Sequence, residues 1–149
     1  LEVWLPTGRP LSQHFAEQPN AAPTLSLCSI ALIPAQRERL HRNIEQRFYA
    51  MLEQGFLDEV GRLQVQYPEL TPDYPAVRCV GYRQAWAHLQ GETDRNTFIA
   101  QGIAATRQLA KRQLTWLRKL PADLVIDPFS GSLRQHSQTI HSFCQQHFV

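Results

Sequence analysis

Carboxylates are missing from one long stretch of this sequence. Between Asn96 and Lys119 there is no Asp or Glu, although five Lys and Arg fall within it. A merely solvated helix normally intersperses Glu among its cations, so the absence speaks against an ordinary salt-bridged surface. Cysteine is also scarce. Cys28, Cys79 and Cys144 are odd in number, far apart in sequence and form no C-x-x-C pair, which disfavours a disulfide framework or a zinc site and fits a reducing compartment. The longest nearly apolar run, Leu25 to Pro34, is about half a membrane span and is broken by serines. No signal peptide is visible, and the chain does not start with Met. Neither a G-x-x-x-x-G-K-[ST] loop nor a G-x-G-x-x-G turn occurs, and Ser12, Thr93 and Ser130 lack a G-x-S-x-G context. The six histidines show no H-x-x-x-H or H-E-x-x-H spacing, and His136 and His141 read as solvent-facing. No catalytic dyad is visible.

What remains is a chain of 149 residues, 43% hydrophobic, enough to bury a real core in one domain. Its net charge of +2 hides an asymmetry. Val77 to Lys119 holds eight basic and two acidic residues and nets +6, while the rest nets −4. Thirteen of the fifteen cations are Arg, whose planar fork suits phosphate and carboxylate.

Leu1 to Leu5 read as the end of a helix stopped by Pro6-Thr7-Gly8, and the chain reads as a piece of a longer one. Pro10 to Gln18 predicts a short helix, with Ser12 as a possible cap, and Pro19 to Pro23 a polar loop. Leu25 to Ile33 predicts a buried strand. Helical spacing of Leu40, Ile44, Phe48, Met51 and Leu52 predicts a helix over Ala35 to Gln54, ended by Gly55. A second runs from Phe56 to Val65 with Phe56, Val60 and Leu63 inward, and three prolines make Tyr67 to Pro75 an extended connection. A third spans Cys79 to Leu89, and a fourth starts at the cap Asp94 and lasts to Leu120-Pro121. Leu124 to Asp127 is a short strand, and Leu133 to Phe148 a final helix.

On the fourth helix, Ile99, Ile103, Thr106, Ala110, Leu114 and Leu117 form one predicted core stripe. Arg107, Lys111 and Arg118 make a row on one flank, with Arg112 and Lys119 further round and Gln101, Gln108 and Thr115 between them as donors for phosphate or sugar. A nucleic-acid backbone is the favoured counter-anion; salt bridges within the fold or an acidic protein partner are the alternatives. Arg78-Cys79-Val80-Gly81-Tyr82-Arg83 opens a helix, where backbone N–H groups and two Arg make an anion site. Gly81 in a first turn costs about 1 kcal/mol relative to Ala and suggests a close approach to the backbone. Tyr82 is placed either to stack on a base or to pack in the core with Trp86. Arg47 points within ~20° of Leu40 on its helix, on the apolar stripe itself, so it needs a buried anion: a core carboxylate or a substrate phosphate. Glu38, Arg42 and Glu45 look like ordinary surface charges.

Four strings then carry a resemblance: R-C-V-G-Y-R-Q from Arg78, G-I-A-A-T-R-Q-L-A-K-R-Q-L-T-W-L-R from Gly102, L-E-V-W-L-P-T-G-R-P-L-S from Leu1 and I-E-Q-R-F-Y-A-M-L-E-Q-G-F from Ile44. Together they resemble the bacterial tRNA dimethylallyltransferase family over roughly Leu1 to Ser12 and Ile30 to Arg118. The resemblance implies an α/β fold class, in which this chain is a mostly helical part of a P-loop-type parallel-sheet fold with two short strands. Residues 1–18 would end the family's helical insertion, 19–29 lead into the first strand, 30–128 form core helices and strands, and 129–149 a tail. It implies transfer of a dimethylallyl group from dimethylallyl diphosphate to the exocyclic amine of adenosine 37 in the tRNA anticodon stem-loop. Magnesium would assist, and the enzyme would be a cytoplasmic monomer without a membrane anchor. Contact with tRNA would fall to Arg78, Cys79, Val80, Gly81, Tyr82 and Arg83 and to Arg107, Lys111, Arg112, Gln113, Thr115, Trp116 and Arg118, and Arg47 would lie by the diphosphate. The family's phosphate loop and the Asp proposed as its base have no counterpart in this sequence, so the isolated chain is expected to be inactive. The runner-up is a non-catalytic helical RNA-binding module, in which Arg47 would be tied to a core carboxylate.

Overall fold

A computed structural model describes residues 2–17 and 27–148. The elements are α1 (Trp4–Thr7), α2 (Leu11–Glu17), β1 (Ile30–Leu32), α3 (Arg37–Glu53), α4 (Phe56–Gln66), α5 (Tyr82–Leu89), α6 (Arg95–Leu117), β2 (Leu124–Ile126) and α7 (Leu133–Phe148). The loop expected over Pro19 to Pro23 and the start of the expected strand at Leu25 lie outside the described residues. The strand itself is shorter than its apolar run, and Ser12 falls inside α2 rather than capping it.

Helices α3 to α6 enclose the core. Gly55, at φ +90°, ends α3 and caps α4, a left-handed conformation that an L side chain resists. Asp58 and Glu59 then occupy the first turn of α4, where they complement the helix dipole. From these helices Phe48, Phe56, Val60, Ala85, Trp86, Phe98 and Ile103 join one buried cluster with Val77. Each large apolar side chain so buried contributes about 1.5–3 kcal/mol. Tyr67 to Pro75 is a run of turns rather than an extended connection, closed by bonds such as Tyr74 N–H to the Thr71 carbonyl at 3.1 Å. Those turns let Val77 reach the core.

The crossing of α3 and α6 depends on Gly102. A Cβ there would lie 2.3 Å from Cζ of Phe48, whose ring is locked in the core, so only glycine allows the helices to come this close. Phe48 packs on Phe98 with ring centroids 5.6 Å apart, and His88 stacks on the other aromatic at 5.0 Å. The stripe predicted along α6 is only partly correct. Ile103 is buried, but from Lys111 onward no residue of the helix is, and the central core residue is Phe98. The C-terminal half of α6 extends past the helices that cover its start.

Asp94 caps α6 as the sequence predicts, its carboxylate accepting from Thr97 N–H at 2.8 Å and Thr97 Oγ1 at 3.0 Å. The backbone bond, followed by the hydroxyl bond, holds the Asp94 carboxyl below its ordinary value. Because the folded-state pKa is lowered, this group's stabilisation is complete above the unfolded value of about 4 and fades as pH falls through the folded one. Asp94→Ala is therefore expected to lower the melting temperature at pH 7, by a margin that shrinks in acid. A margin that stays constant down to pH 2 in thermal melts would contradict this.

Strands β1 and β2 pair in parallel, with Ile30 opposite Leu124, Ala31 opposite Val125 and Leu32 opposite Ile126. Asp123 steadies the start of the pair by accepting from Ser29 N–H at 2.8 Å. Leu32 and Val125 remain 52% and 57% exposed. Arg39 of α3 donates to the Phe129 carbonyl at 2.7 Å and lies 5.0 Å from the centre of its ring, tying the helices to the turn before α7. Cys28 and Cys144, 116 positions apart in sequence, come together: burial first, then a hydrogen bond with Cys144, pushes the Cys28 thiol up. All three cysteines are free thiols.

Candidate nucleic-acid interface

The exposed half of α6 carries the densest charge. Lys111, Arg112, Arg118 and Lys119 are all exposed, and among the described residues none forms an ion pair. Arg118 and Lys119 follow the last turn of the helix, where its dipole favours cations, which offsets part of their mutual repulsion. Trp116 is 69% exposed and stands between two shallow clefts, one shared with Lys111 and Gln108, the other with Gln113 and Leu109. Arg112 borders both. An aromatic face flanked by guanidinium and ammonium groups can stack a base and hold the adjoining phosphates. Thr115 is less free than its position suggests, since Oγ1 already donates to the Lys111 carbonyl at 2.9 Å.

Arg107 departs from the row expected on this flank. It is only 34% exposed at its side chain and forms a 2.8 Å ion pair with Glu45 of α3. The same nitrogen approaches the His41 carbonyl at 3.4 Å. Glu45 is thus no ordinary surface charge; it is the counterion that joins α3 to α6. The alternative of salt bridges within the fold holds for this one cation of the row.

The second basic segment is also altered. Gly81 is the N-cap of α5 rather than a residue of its first turn, and its φ of +95° explains the glycine without a ligand. Its N–H donates to Gln84 Oε1 at 2.9 Å, so one donor expected to meet an anion is already taken. Tyr82 packs edge-on against Phe56, centroids 5.4 Å apart, and its hydroxyl bonds Glu59. That bond, followed by burial, pushes the Tyr82 phenol up. Tyr82 is therefore committed to the fold, and Trp86 is core as expected. Val80 is half-buried, whereas Arg78, Cys79 and Arg83 are exposed. Arg78 lies 3.8 Å from Asp73, both well solvated, a contact worth little. Among the described residues no hydrogen bond links residues 78–83 to residues 111–118.

Arg47 is exposed, not buried on the apolar stripe, and forms no ion pair among the described residues. The buried side of α3 centres on Phe48, ~100° round the helix from Arg47. Among the described residues no buried carboxylate stands where a purely structural role would need one.

The helix α6 thus ends in a cationic, acid-free segment bearing an exposed tryptophan, set on a helical core beside a parallel strand pair. The family model described as IPP transferase matches residues 1–120, and the chain belongs to that family. It is 64% identical over 130 residues to the tRNA dimethylallyltransferase of Neisseria gonorrhoeae, covering 87% of this chain and 42% of that protein. It is 52% identical over 136 residues to the enzyme of the same name from Chromobacterium violaceum, covering 89% and 42%. Among solved structures, the full-length tRNA isopentenylpyrophosphate transferase of Bacillus halodurans matches with a TM-score of 0.72 at 28% identity, over 85% of this chain and 40% of that one. The Staphylococcus epidermidis tRNA isopentenylpyrophosphate transferase matches with a TM-score of 0.71 at 25% identity, over 97% and 46%. The chain thus spans about two fifths of the length of the curated relatives it matches.

Proposed function

We propose that this chain is the tRNA-facing portion of a cytoplasmic, monomeric dimethylallyltransferase that modifies N6 of adenosine 37 in the anticodon stem-loop. The observation that carries the proposal is the exposed half of α6: among the described residues Lys111, Arg112 and Arg118 have no carboxylate partner, and Lys111 and Arg112 share a cleft with the exposed ring of Trp116. Identity to tRNA dimethylallyltransferases over this segment supports the same reading. Arg78, Cys79 and Arg83 would add a second contact, with Val80, Gly81 and Tyr82 shaping the turn behind them. Among the described residues both outer edges of the β1–β2 pair are unpaired and Leu32 and Val125 stay exposed, one on each face, which suits a place in a larger parallel sheet of P-loop type covered on both faces.

In the proposed reaction the adenine N6 attacks the allylic carbon of dimethylallyl diphosphate. The carbon–oxygen bond breaks, the electron pair leaves on the diphosphate, and the N6 proton passes to a base. Arg47 is an exposed guanidinium free to neutralise the charge growing on the leaving oxygens. Magnesium fits the family, but among the described residues no group of three or more His, Cys, Asp or Glu is placed to hold a metal.

The chain is expected to retain an anticodon stem-loop on a filter at low ionic strength, with affinity falling steeply as salt rises. Given dimethylallyl diphosphate as well, it is expected to yield no N6-alkylated product by mass spectrometry. Salt-independent or absent retention would remove the RNA reading. Efficient product formation would show that the residues present suffice for catalysis. Among the described residues no helix is long and apolar enough to cross a membrane.

A further inference from the structure

The start of α3 meets the cationic half of α6 in a groove of about 160 Å³. Arg37, the first residue of α3, lines one wall, and Lys111, Thr115 and Arg118 line the other. Among the described residues no carboxylate borders it. Arg107 also lines it but is paired with Glu45, and among the described residues the other three cations, Arg37, Lys111 and Arg118, form no ion pair. Its remaining wall is apolar, from Leu40, Ala110 and Leu114. Apolar walls lower the local dielectric and focus the field of charges at the rim, so the concavity attracts an anion more strongly than the same charges on a flat surface would. Arg37 makes one side-chain bond among the described residues, Nε to His41 Nε2 at 3.3 Å. That contact leaves the guanidinium tips available while restricting the arm that carries them.

We infer that this groove seats one backbone phosphate of the bound RNA, with Arg37 as an RNA-binding residue supplied by α3. The inference rests on the RNA reading above and extends its footprint from one helix to two. A nucleic-acid phosphate suits the groove better than a free anion because Lys111 and Thr115 line both this groove and the neighbouring cleft of Arg112 and Trp116. A strand held in that cleft reaches the groove across Lys111 and Thr115.

Salt titrations of stem-loop binding by the 149-residue chain test it, with unfolding followed in parallel by circular dichroism. Arg37→Gln is expected to weaken binding several-fold at low salt and to reduce the slope of log affinity against log salt by about one. Arg37→Lys should keep the slope, and Lys111→Gln should lower it by a similar amount. If Lys111→Gln lowers the slope and Arg37→Gln, folded normally, does not, the groove assignment fails while the RNA reading stands. If Arg37→Gln weakens binding of inorganic pyrophosphate and leaves RNA unchanged, the groove takes a small anion and the inference is overturned. If the unaltered chain shows no salt-dependent binding, both fall.

Discussion

Replacing Phe98 with alanine is expected to destabilise the chain by roughly 3–5 kcal/mol, enough to unfold a domain of ordinary stability. The side chain is fully buried, and its ring contacts Phe48 and His88 on two sides. The cavity left behind would be slow to collapse. One helical turn on, Gly102 has no side chain to swing into it, and Phe48 is pinned against that glycine. Urea unfolding followed by tryptophan fluorescence would measure the loss, with Trp86 as the buried reporter. A loss below about 1 kcal/mol would mean that α6 is held by something other than this aromatic cluster.

The largest effect on binding is expected from Lys111→Gln, Arg112→Gln and Arg118→Gln combined. Each cation neutralises about one phosphate, so removing three should cost roughly 10²–10³-fold in stem-loop affinity at low salt and flatten the salt dependence by about three. Stability should change by no more than about 0.5 kcal/mol, because the three are exposed and unpaired among the described residues. Arg107 is left intact in this variant for a physical reason. Its pair with Glu45 joins two helices, so truncating it would mix a packing defect with a charge effect. Filter retention across a salt series and a thermal melt separate the two. Unchanged affinity in the triple variant would move the RNA contact away from α6.

Helix positions were legible because their determinants are local. The spacing of Leu40, Ile44, Phe48 and Leu52 defines α3, and Asp94 and Pro121 bracket α6 within a few residues. The cationic helix end was legible too, since an acid-free stretch is a property of the chain itself. Misreadings arose where a second element decided the outcome. Arg47 and Leu40 share an angle on α3, yet the burial of that helix is centred by α6 crossing at Phe48, which leaves Arg47 outside. Glu45 looked ordinary until the fold brought Arg107 to it across 62 positions. The glycine of R-C-V-G-Y-R suggests close ligand approach from sequence alone, whereas its positive φ is set by the turn feeding α5.

By itself, the sequence determined the succession of helices, the acid-free cationic segment from Asn96 to Lys119, and the strings that place the chain in the IPP transferase family. Periodicity, capping and charge pattern are all written within a few turns of chain. Only the tertiary structure decided which cations stay free. Burial and pairing depend on what another helix places opposite, so Arg107 is bound inward by Glu45 while Lys111, Arg112 and Arg118 remain open to solvent and a polyanion.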